Sequence, residues 1–547
     1  MTASNRRLSN IKTRNQTGLE YVLQSINIIT PFGRTLMKEQ KPFYPGQEEE
    51  LRCELDKIDR MLELLNADEK TVDLILQNFM EMKEIGYTVD RSGKNALSVV
   101  ELFEIKSMLL KMRTQKALFE KANGDIPEEY VLLDTEALLD VLDPGKDRLN
   151  TFYIYDEFSE SLSSLRKKKR ELELSIRRSK KAQKEHIKQV YGVVLTPKFD
   201  IAVSKSDKAM LEKLSEIPEL VQSDEDYVSR VFELKSSNEV YELEKRQDAL
   251  NEEIDNEELR VREELSREVY KYADVILGNC QKIGKLDLAL AKAIYAKKHN
   301  CVKPKIVEEH VIEIEEGRNL QVEDILHSKG KEYCPVSISL KNGVTCITGA
   351  NMGGKTVSLR LAGLVPMLAQ YGFFVPCKRA RLGLSNYMQI LIGDSQSLER
   401  GLSSFGSEME ELKEILDNSK ERSLLLIDEI ASGTNPVEGM ALTKSIVDFL
   451  KEKPYITLLT THFETVTESA GVKNMQVIGL AGADFDKLNS ELRYANRKER
   501  INIISKYMDY RLYEVNTDSE IPKDALNIAR MLGIPAEIIE KAKAYIK

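Results

Sequence analysis

The sequence predicts an α + α/β fold, with an all-helical core and long paired helices, followed by an α/β domain built on a phosphate-binding loop. Three observations carry that expectation. Apolar residues recur at three- and four-residue steps through the first half, in a chain of 42% hydrophobic and 31% charged residues. Two charge-rich stretches, near 164–189 and 241–273, keep helical apolar spacing over long runs. Beyond Pro304 the texture changes to short apolar runs that end in polar or glycine-containing turns, the mark of a buried, largely parallel sheet.

Residues 19–158 read as helices broken at Gly46, Gly86, Gly124 and Pro144-Gly145. Leu51, Leu55, Ile58, Leu62 and Leu65 mark one apolar helical face there. The next stretch is strongly basic, with eleven Lys or Arg between Arg166 and Lys188 against Glu171, Glu173 and Glu185. It reads as a long exposed helix or as a phosphate-contacting arm. Residues 190–195 carry the spacing of a strand. From 241 to 273 Leu243, Leu250, Ile254, Val261, Leu265, Val269 and Tyr272 give a coiled-coil-like seam that Glu257 and Glu268 interrupt. Two long helices flanking a small insertion describe an arm.

The length of 547 residues allows three or four domains, and the net charge of −9 argues weakly against an extended nucleic-acid surface. No stretch approaches the ~18–20 uninterrupted apolar residues needed to cross a bilayer. The first fourteen residues are polar and basic, without the apolar core of a secretory signal. Six scattered cysteines without a C-x-x-C pair fit reduced thiols. The expectation is a cytoplasmic protein that does not span a membrane.

The chemistry concentrates in four places. Gly349-Ala350-Asn351-Met352-Gly353-Gly354-Lys355-Thr356 fits G-x-x-x-x-G-K-[ST], between a predicted strand and a predicted helix. Glycines there let backbone N–H groups turn toward phosphates, Lys355 adds a positive charge, and the Thr356 hydroxyl can ligate Mg²⁺. The nucleotide implied is ATP. Leu424-Leu425-Leu426-Ile427-Asp428-Glu429, about seventy residues downstream, is an apolar strand ending in two carboxylates. Asp428 is the candidate for the Mg²⁺ shell, and Glu429 for polarising the attacking water. Thr460-Thr461-His462 ends a further predicted strand, where His462 either caps the strand end or senses a γ phosphate. Ser403, within Gly401-Leu402-Ser403-Ser404-Phe405-Gly406, opens a predicted helix. It is either an ordinary N-cap or a hydroxyl offered to a nucleotide on a second subunit.

These motifs, with Ile392-Gly393-Asp394, Asp428-Glu429-Ile430-Ala431-Ser432-Gly433-Thr434 and Thr461-His462-Phe463, resemble the ATPase domain of the MutS family, one of the ABC-type ATPases. Leu286-Asp287-Leu288 resembles the segment by which that family's lever helices reach the ATPase, and Asn527-Ile528-Ala529-Arg530 with Gly533-Ile534-Pro535 resembles its C-terminal helices. The resemblance implies an all-helical core over 1–160 and paired lever helices with a small insertion over 161–280. It implies a P-loop, ABC-type ATPase domain with C-terminal dimerisation helices over 281–547. It implies ATP and Mg²⁺ as cofactors, Glu429 as catalytic base, Ser403 reaching the partner's nucleotide and His462 as switch histidine. It implies a homodimer, or a heterodimer with a related subunit, with two composite sites.

Three departures qualify the resemblance. The chain begins almost directly in the helical core, without a mismatch-reading domain or a Phe-x-Glu wedge near the start. DNA binding is therefore expected to be weak, non-specific and blind to mismatches. Residues 432–439 are closer to the second bacterial lineage of MutS paralogues, whose terminal nuclease domain the chain stops short of. Gly317-Arg318-Asn319-Leu320 stands where the family usually has a His-Pro pair, leaving the base-stacking residues unassigned. A second reading rests on Ile29-Thr30-Pro31-Phe32-Gly33-Arg34 and Pro42-Phe43-Tyr44-Pro45-Gly46. These resemble the MutS-like ATPase of lysine 5,6-aminomutase reactivases, which serves a cobalamin-dependent aminomutase instead of DNA.

Overall fold

The computed structural model describes residues 7–122, 126–349, 354–393, 404–463, 466, 471–480, 482–493, 497–515 and 524–545. The chain mixes helix and sheet and divides into two compact units. One comprises Met1–Met80, Phe119–Val131 and Ile283–Lys547; the other comprises Glu81–Leu118 and Leu132–Lys282. No helix among the described residues is long and apolar enough to cross a membrane.

The second unit is organised around two long helices, Glu160–Tyr191 and Asn238–Lys271. Each begins on a serine N-cap: Ser159 accepts from Leu162 N–H and Ser237 from Val240 N–H. The helices run antiparallel along each other, since from Arg166 onward cross-pairs descend in one as they ascend in the other. Ser159 meets Glu257, Arg166 meets Glu258, Gln247 meets Glu173, and Ser179 meets Glu239. Leu162 and Ile176 are buried on one helix, and Ile254, Val261 and Leu265 on the other. Glu257, which the sequence places as a break in the seam, has partners. Arg260 first, and the Ser159 hydroxyl second, hold its carboxyl at about 2.

Strands β1 (Asp200–Ser204), β2 (Leu220–Glu225) and β3 (Ser229–Leu234) form a small antiparallel sheet in the order β1-β3-β2 between these helices. The strand expected over 190–195 is absent from this region. The first helix continues to Tyr191, and Gly192 then ends it in the left-handed region at φ 67°. Val193 and Leu195 are buried among Ile187, Leu214, Leu220 and Phe232, but in irregular backbone. Their apolar spacing reports burial, and periodicity alone cannot separate that from a strand.

The first unit holds two sheets. One has four strands, β4 (Lys305–Val307), β5 (Val311–Gly317), β6 (Val336–Lys341) and β8 (Arg379–Gly383), in the order β4-β8-β5-β6. The other contains β7 (Gly343–Thr348), β9 (Tyr387–Ile392), β10 (Ser423–Asp428), β11 (Tyr455–Thr460), β12 (Lys473–Gly479) and β13 (Asp509–Glu514). Its order is β13-β12-β7-β11-β10-β9, parallel throughout except for β13 against β12. Val344, Cys346, Leu425, Ile427 and Leu459 point from this sheet into a core shared with Leu412, Ile415, Ile446 and Val447 of neighbouring helices.

N-terminal residues belong to this same unit. Leu8 C=O accepts from Met388 N–H at 2.7 Å, and the Thr13 hydroxyl bonds Gln389, so the chain start covers the β9 edge. The segment Ile29-Thr30-Pro31-Phe32-Gly33-Arg34 wraps a buried carboxylate. Asp287 accepts from Ile29 N–H, Thr30 N–H and the Thr30 hydroxyl, at 3.1, 2.6 and 2.7 Å. Glycine is required at 33 because a Cβ there would lie 2.6 Å from Asp287 Oδ2. Packing and capping account for this run of residues.

Candidate functional site

Five of the six residues of β7 are buried, and the chain leaves the strand at Gly349 with φ 123°. It re-enters regular structure at Gly354, φ 77°, the N-cap of the helix Lys355–Gln370. Both glycines lie in the left-handed region, where a side chain would be strained. Ala350, Asn351, Met352 and Gly353 lie outside the described residues, as does Ser403. Lys355 is the first helical residue and only 4% exposed. Its Nζ is 2.8 Å from Glu429 Oε1.

Register places the carboxylates. Asp428, the last residue of β10, stands opposite Thr460 of β11 and Ile392 of β9, while Thr460 stands opposite Ile347 of β7. The carboxyl ends of adjacent parallel strands therefore meet at one edge, where ligands of open α/β sheets bind. The Thr356 hydroxyl donates to Asp428 Oδ2 at 2.8 Å, and the Thr460 hydroxyl donates to Oδ1 at 2.5 Å. Asp428 is thus oriented by two hydroxyls, one from the helix after the phosphate loop and one from the neighbouring strand.

Beyond Asp428 the backbone turns sharply. Glu429 has φ 45° and Ala431 φ 59°, a region that costs a non-glycine residue about 1–2 kcal/mol. Neighbours from three elements hold it there. Glu429 N–H donates to Thr460 C=O and Oγ1, both at 3.1 Å. Ala431 N–H donates to Glu408 Oε2 at 3.1 Å, from the helix Ser404–Asn418. The Thr443 hydroxyl of the helix Pro436–Lys451 donates to Ile430 C=O at 3.2 Å. On that helix Gly439 lies so close that a Cβ would meet Ala431 O at 2.7 Å. Backbone strain held by its surroundings in this way clusters at functional sites, which makes this turn a candidate one.

His462 lies two residues past the end of β11, exposed, with its ring centroid 4.0 Å from that of Phe463. Phe463 N–H donates to the Thr461 hydroxyl at 3.0 Å, which shapes the turn carrying the histidine. The structure thus joins Lys355 to Glu429 and Thr356 to Asp428, and places His462 just beyond Thr460 at the same sheet end. The donor set suits a phosphate chain with a divalent cation. Left-handed glycines and a helix N-terminus aim N–H groups at anions, and a buried ammonium supplies countercharge. Among the described residues no cluster of three or more His, Cys, Asp or Glu is placed to hold a metal. A cation at Thr356 and Asp428 would complete its shell from water and phosphate, as Mg²⁺ does.

Three contributors escaped the sequence reading. Thr460 stood there only as a neighbour of His462, yet its hydroxyl serves both Asp428 and Glu429. Glu408 belongs to none of the motifs, yet it accepts from Ala431 N–H. Tyr510 of β13 packs against the phosphate loop, its Cδ1 3.1 Å from where a Gly354 Cβ would stand. No local pattern in the sequence marks any of them.

Comparison with known proteins adds the family context. Residues 345–547 match the model of MutS domain V. The chain is 28% identical over 547 residues to Endonuclease MutS2 of Fusobacterium nucleatum subsp. nucleatum, covering 95% of this chain and 63% of that protein. It is 32% identical over 327 residues to Endonuclease MutS2 of Clostridium kluyveri, covering 58% of this chain and 37% of that protein. It is 25% identical over 519 residues to DNA mismatch repair protein MutS of Aquifex pyrophilus, covering 90% and 55%. The chain therefore spans less than two thirds of each of these relatives. None of their names supports the aminomutase-reactivase reading. Residues 345–547 are thus similar to MutS domain V, and the chain over most of its length is similar to proteins named MutS2 and MutS.

Proposed function

We propose that this chain is a cytoplasmic, Mg²⁺-dependent ATPase of the P-loop, ABC type that works as an ATP-gated dimeric clamp with a copy of itself or a related subunit. Its DNA contacts are to phosphates, without mismatch reading. The observation that supports this most is the convergence of Lys355, Thr356, Asp428 and Glu429 at the carboxyl ends of adjacent parallel strands. In this reading Gly349, Ala350, Asn351, Met352, Gly353 and Gly354 line the phosphates with backbone N–H groups. Lys355 binds the β and γ phosphates, and Thr356 and Asp428 hold Mg²⁺. Ser403 reaches the partner subunit's nucleotide, and His462 follows the γ phosphate. DNA enters as partner through the names of the relatives, one of which is a DNA mismatch repair protein.

The Lys355–Glu429 ion pair gives the site a resting state. Lys355 exchanges Glu429 for phosphate oxygens when nucleotide binds, which leaves the Glu429 carboxylate available to polarise water. The base is thereby withheld until a phosphate has taken its lysine. Bound ATP and Mg²⁺ supply the reacting phosphoryl group and the charge that stabilises it.

ATP binding and turnover in three variants test the proposal. Lys355→Ala is expected to lose ATP affinity. Glu429→Gln is expected to keep ATP bound and unhydrolysed. Mixing Ser403→Ala with Lys355→Ala protein should restore turnover at one hybrid site. A Glu429→Gln protein that hydrolyses ATP at the wild-type rate refutes the role of Glu429.

A further inference from the structure

The turn that carries Glu429 is held from one side by a carboxylate that none of the motifs includes. Glu408 lies on the helix Ser404–Asn418, whose Leu412 and Ile415 are buried in the core with Leu391, Leu425, Ile427 and Ile430. Positions 408, 412 and 415 recur at four- and three-residue steps, so Glu408 sits on the inward face of its helix. A charged side chain on such a face is costly unless hydrogen-bonded. Its neighbour Glu411 pairs with Lys12 at 2.8 Å, whereas Glu408 reaches the turn and accepts from Ala431 N–H at 3.1 Å. Burial pushes the Glu408 carboxyl up, and the Ala431 N–H opposes that rise.

Ala431 stands two residues beyond Glu429, and both occupy the left-handed region at φ 59° and 45°. If Ala431 relaxes toward ordinary backbone, the rotation passes through Ile430 to Glu429 and swings its carboxylate off Lys355. Thr460 fixes the N–H of Glu429 on the strand side, and Thr443 fixes the C=O of Ile430 on the far side. Within the turn Ser432 N–H donates to Glu429 C=O at 3.3 Å, and Glu408 holds the Ala431 N–H from outside it.

We propose that Glu408 is a positioning residue for hydrolysis: by accepting the Ala431 N–H it locks the turn that aims Glu429. This rests on the reading of Glu429 as the base. The lock needs an acceptor oxygen and not a charge, so Glu408→Gln retains it and Glu408→Ala removes it. Because Glu408 is rooted in a core helix, its hydrogen bond to Ala431 couples the position of that helix to the turn that carries Glu429.

The test compares wild type, Glu408→Ala and Glu408→Gln in the full chain. It measures kcat, KM, equilibrium ATP binding and hydrogen exchange of the backbone over 428–434. In Glu408→Ala, kcat is expected to fall roughly 10- to 100-fold, the cost of displacing a catalytic group by up to 1 Å, while ATP affinity stays within about twofold. Exchange over 428–434 should rise in Glu408→Ala, and Glu408→Gln should restore both values. Wild-type kcat in Glu408→Ala overturns the proposal. So does joint loss of ATP binding and turnover, which marks a merely structural residue, and so does a Gln variant as impaired as Ala. If the wild type itself fails to hydrolyse ATP, the base assignment fails instead. Exchange over 428–434 then reports separately whether Glu408 locks the turn.

Discussion

Replacing Thr460 by valine probes the site through a residue that contacts both Asp428 and Glu429 while leaving Lys355, Thr356, Asp428, Glu429 and His462 unchanged. Thr460 is fully buried, and its hydroxyl donates to Asp428 Oδ1 at 2.5 Å and accepts from Glu429 N–H at 3.1 Å. Valine keeps the shape and removes the hydroxyl. Glu429 N–H retains Thr460 C=O at 3.1 Å, so the main loss falls on Asp428. A hydrogen bond to a charged group contributes about 1.5–3 kcal/mol, or roughly 10- to 150-fold in an equilibrium. Among the described residues, Asp428 then keeps the Thr356 hydroxyl, on its other oxygen, and loses the restraint on Oδ1. Denaturant unfolding should show a loss of about 1.5–3 kcal/mol without nucleotide. The Mg²⁺ concentration for half-maximal ATP turnover should rise about tenfold, the lower end of the same range. Thr460→Ser, which keeps the hydroxyl, should restore the Mg²⁺ dependence. A valine variant with wild-type stability and wild-type Mg²⁺ dependence refutes the argument, as does a serine variant as impaired as valine.

Two further predictions lie outside the candidate site. His310 is buried between Asn342 Oδ1 at 2.8 Å and Ser385 Oγ at 3.1 Å, and burial, aided by Arg422, pushes its imidazole down to about 4 although Asn342 opposes this. With a folded value below the unfolded 6.5, the stabilisation is fully present above pH 6.5 and lost as pH falls toward 4. It amounts to about 3 kcal/mol at most. Urea unfolding of wild type between pH 7 and 4.5 should show this loss and His310→Gln should lack it; parallel pH dependence in the two proteins would exclude the histidine. For DNA, replacing Arg177, Arg178 and Lys181 by Gln should weaken binding equally for matched and mismatched duplexes and flatten the slope of log K against log salt by about 2–3. A tenfold mismatch preference of the wild type at 150 mM salt, or an unchanged slope in the triple variant, would contradict this.

What the sequence made legible was chemistry that needs consecutive residues. A strand-to-helix turn that closes on phosphates must carry its glycines, lysine and threonine in one run, so Gly349, Gly354, Lys355 and Thr356 declare themselves locally. An apolar strand ending in Asp428-Glu429 does the same. Contacts made across the fold leave no such trace. Thr460 meets Asp428 only because β10 and β11 pair in that register, and Glu408 meets Ala431 only because its helix packs beside the turn. Asp287 gathers Ile29 and Thr30 across more than 250 residues of sequence. The sequence isolates Ile29-Thr30-Pro31-Phe32-Gly33-Arg34 as unusual without revealing that a buried carboxylate is the reason. The failed strand at 190–195 has the opposite cause: Val193 and Leu195 are buried as strand residues would be, but Gly192 has ended a helix just before them.

The net charge of −9 conceals how charge is arranged along the two long helices. Glu160–Tyr191 carries eleven basic residues and four acidic ones, whereas Asn238–Lys271 carries twelve acidic and six basic. Antiparallel pairing brings these opposite charges together. Arg166 reaches Glu258 at 2.7 Å and Lys180 reaches Glu244 at 2.6 Å. The acidic helix therefore neutralises the inner side of the basic one and orients the remainder. Lys167, Arg170, Arg177, Arg178, Lys181 and Lys188 stay exposed, and helical spacing gathers them on one face with Glu185. At 1.5 Å per residue that face runs about 30 Å, long enough to follow a duplex backbone. Its charges are spaced by the helix and not by any base pattern, and phosphate contacts carry no sequence information. On the proposed reading, such a surface would bind nucleic acid more tightly the more phosphates it contacts and more weakly as salt rises. Any selectivity would then have to come from elsewhere, and in the proposed function the ATP-dependent closure of a dimer is the step that would supply it.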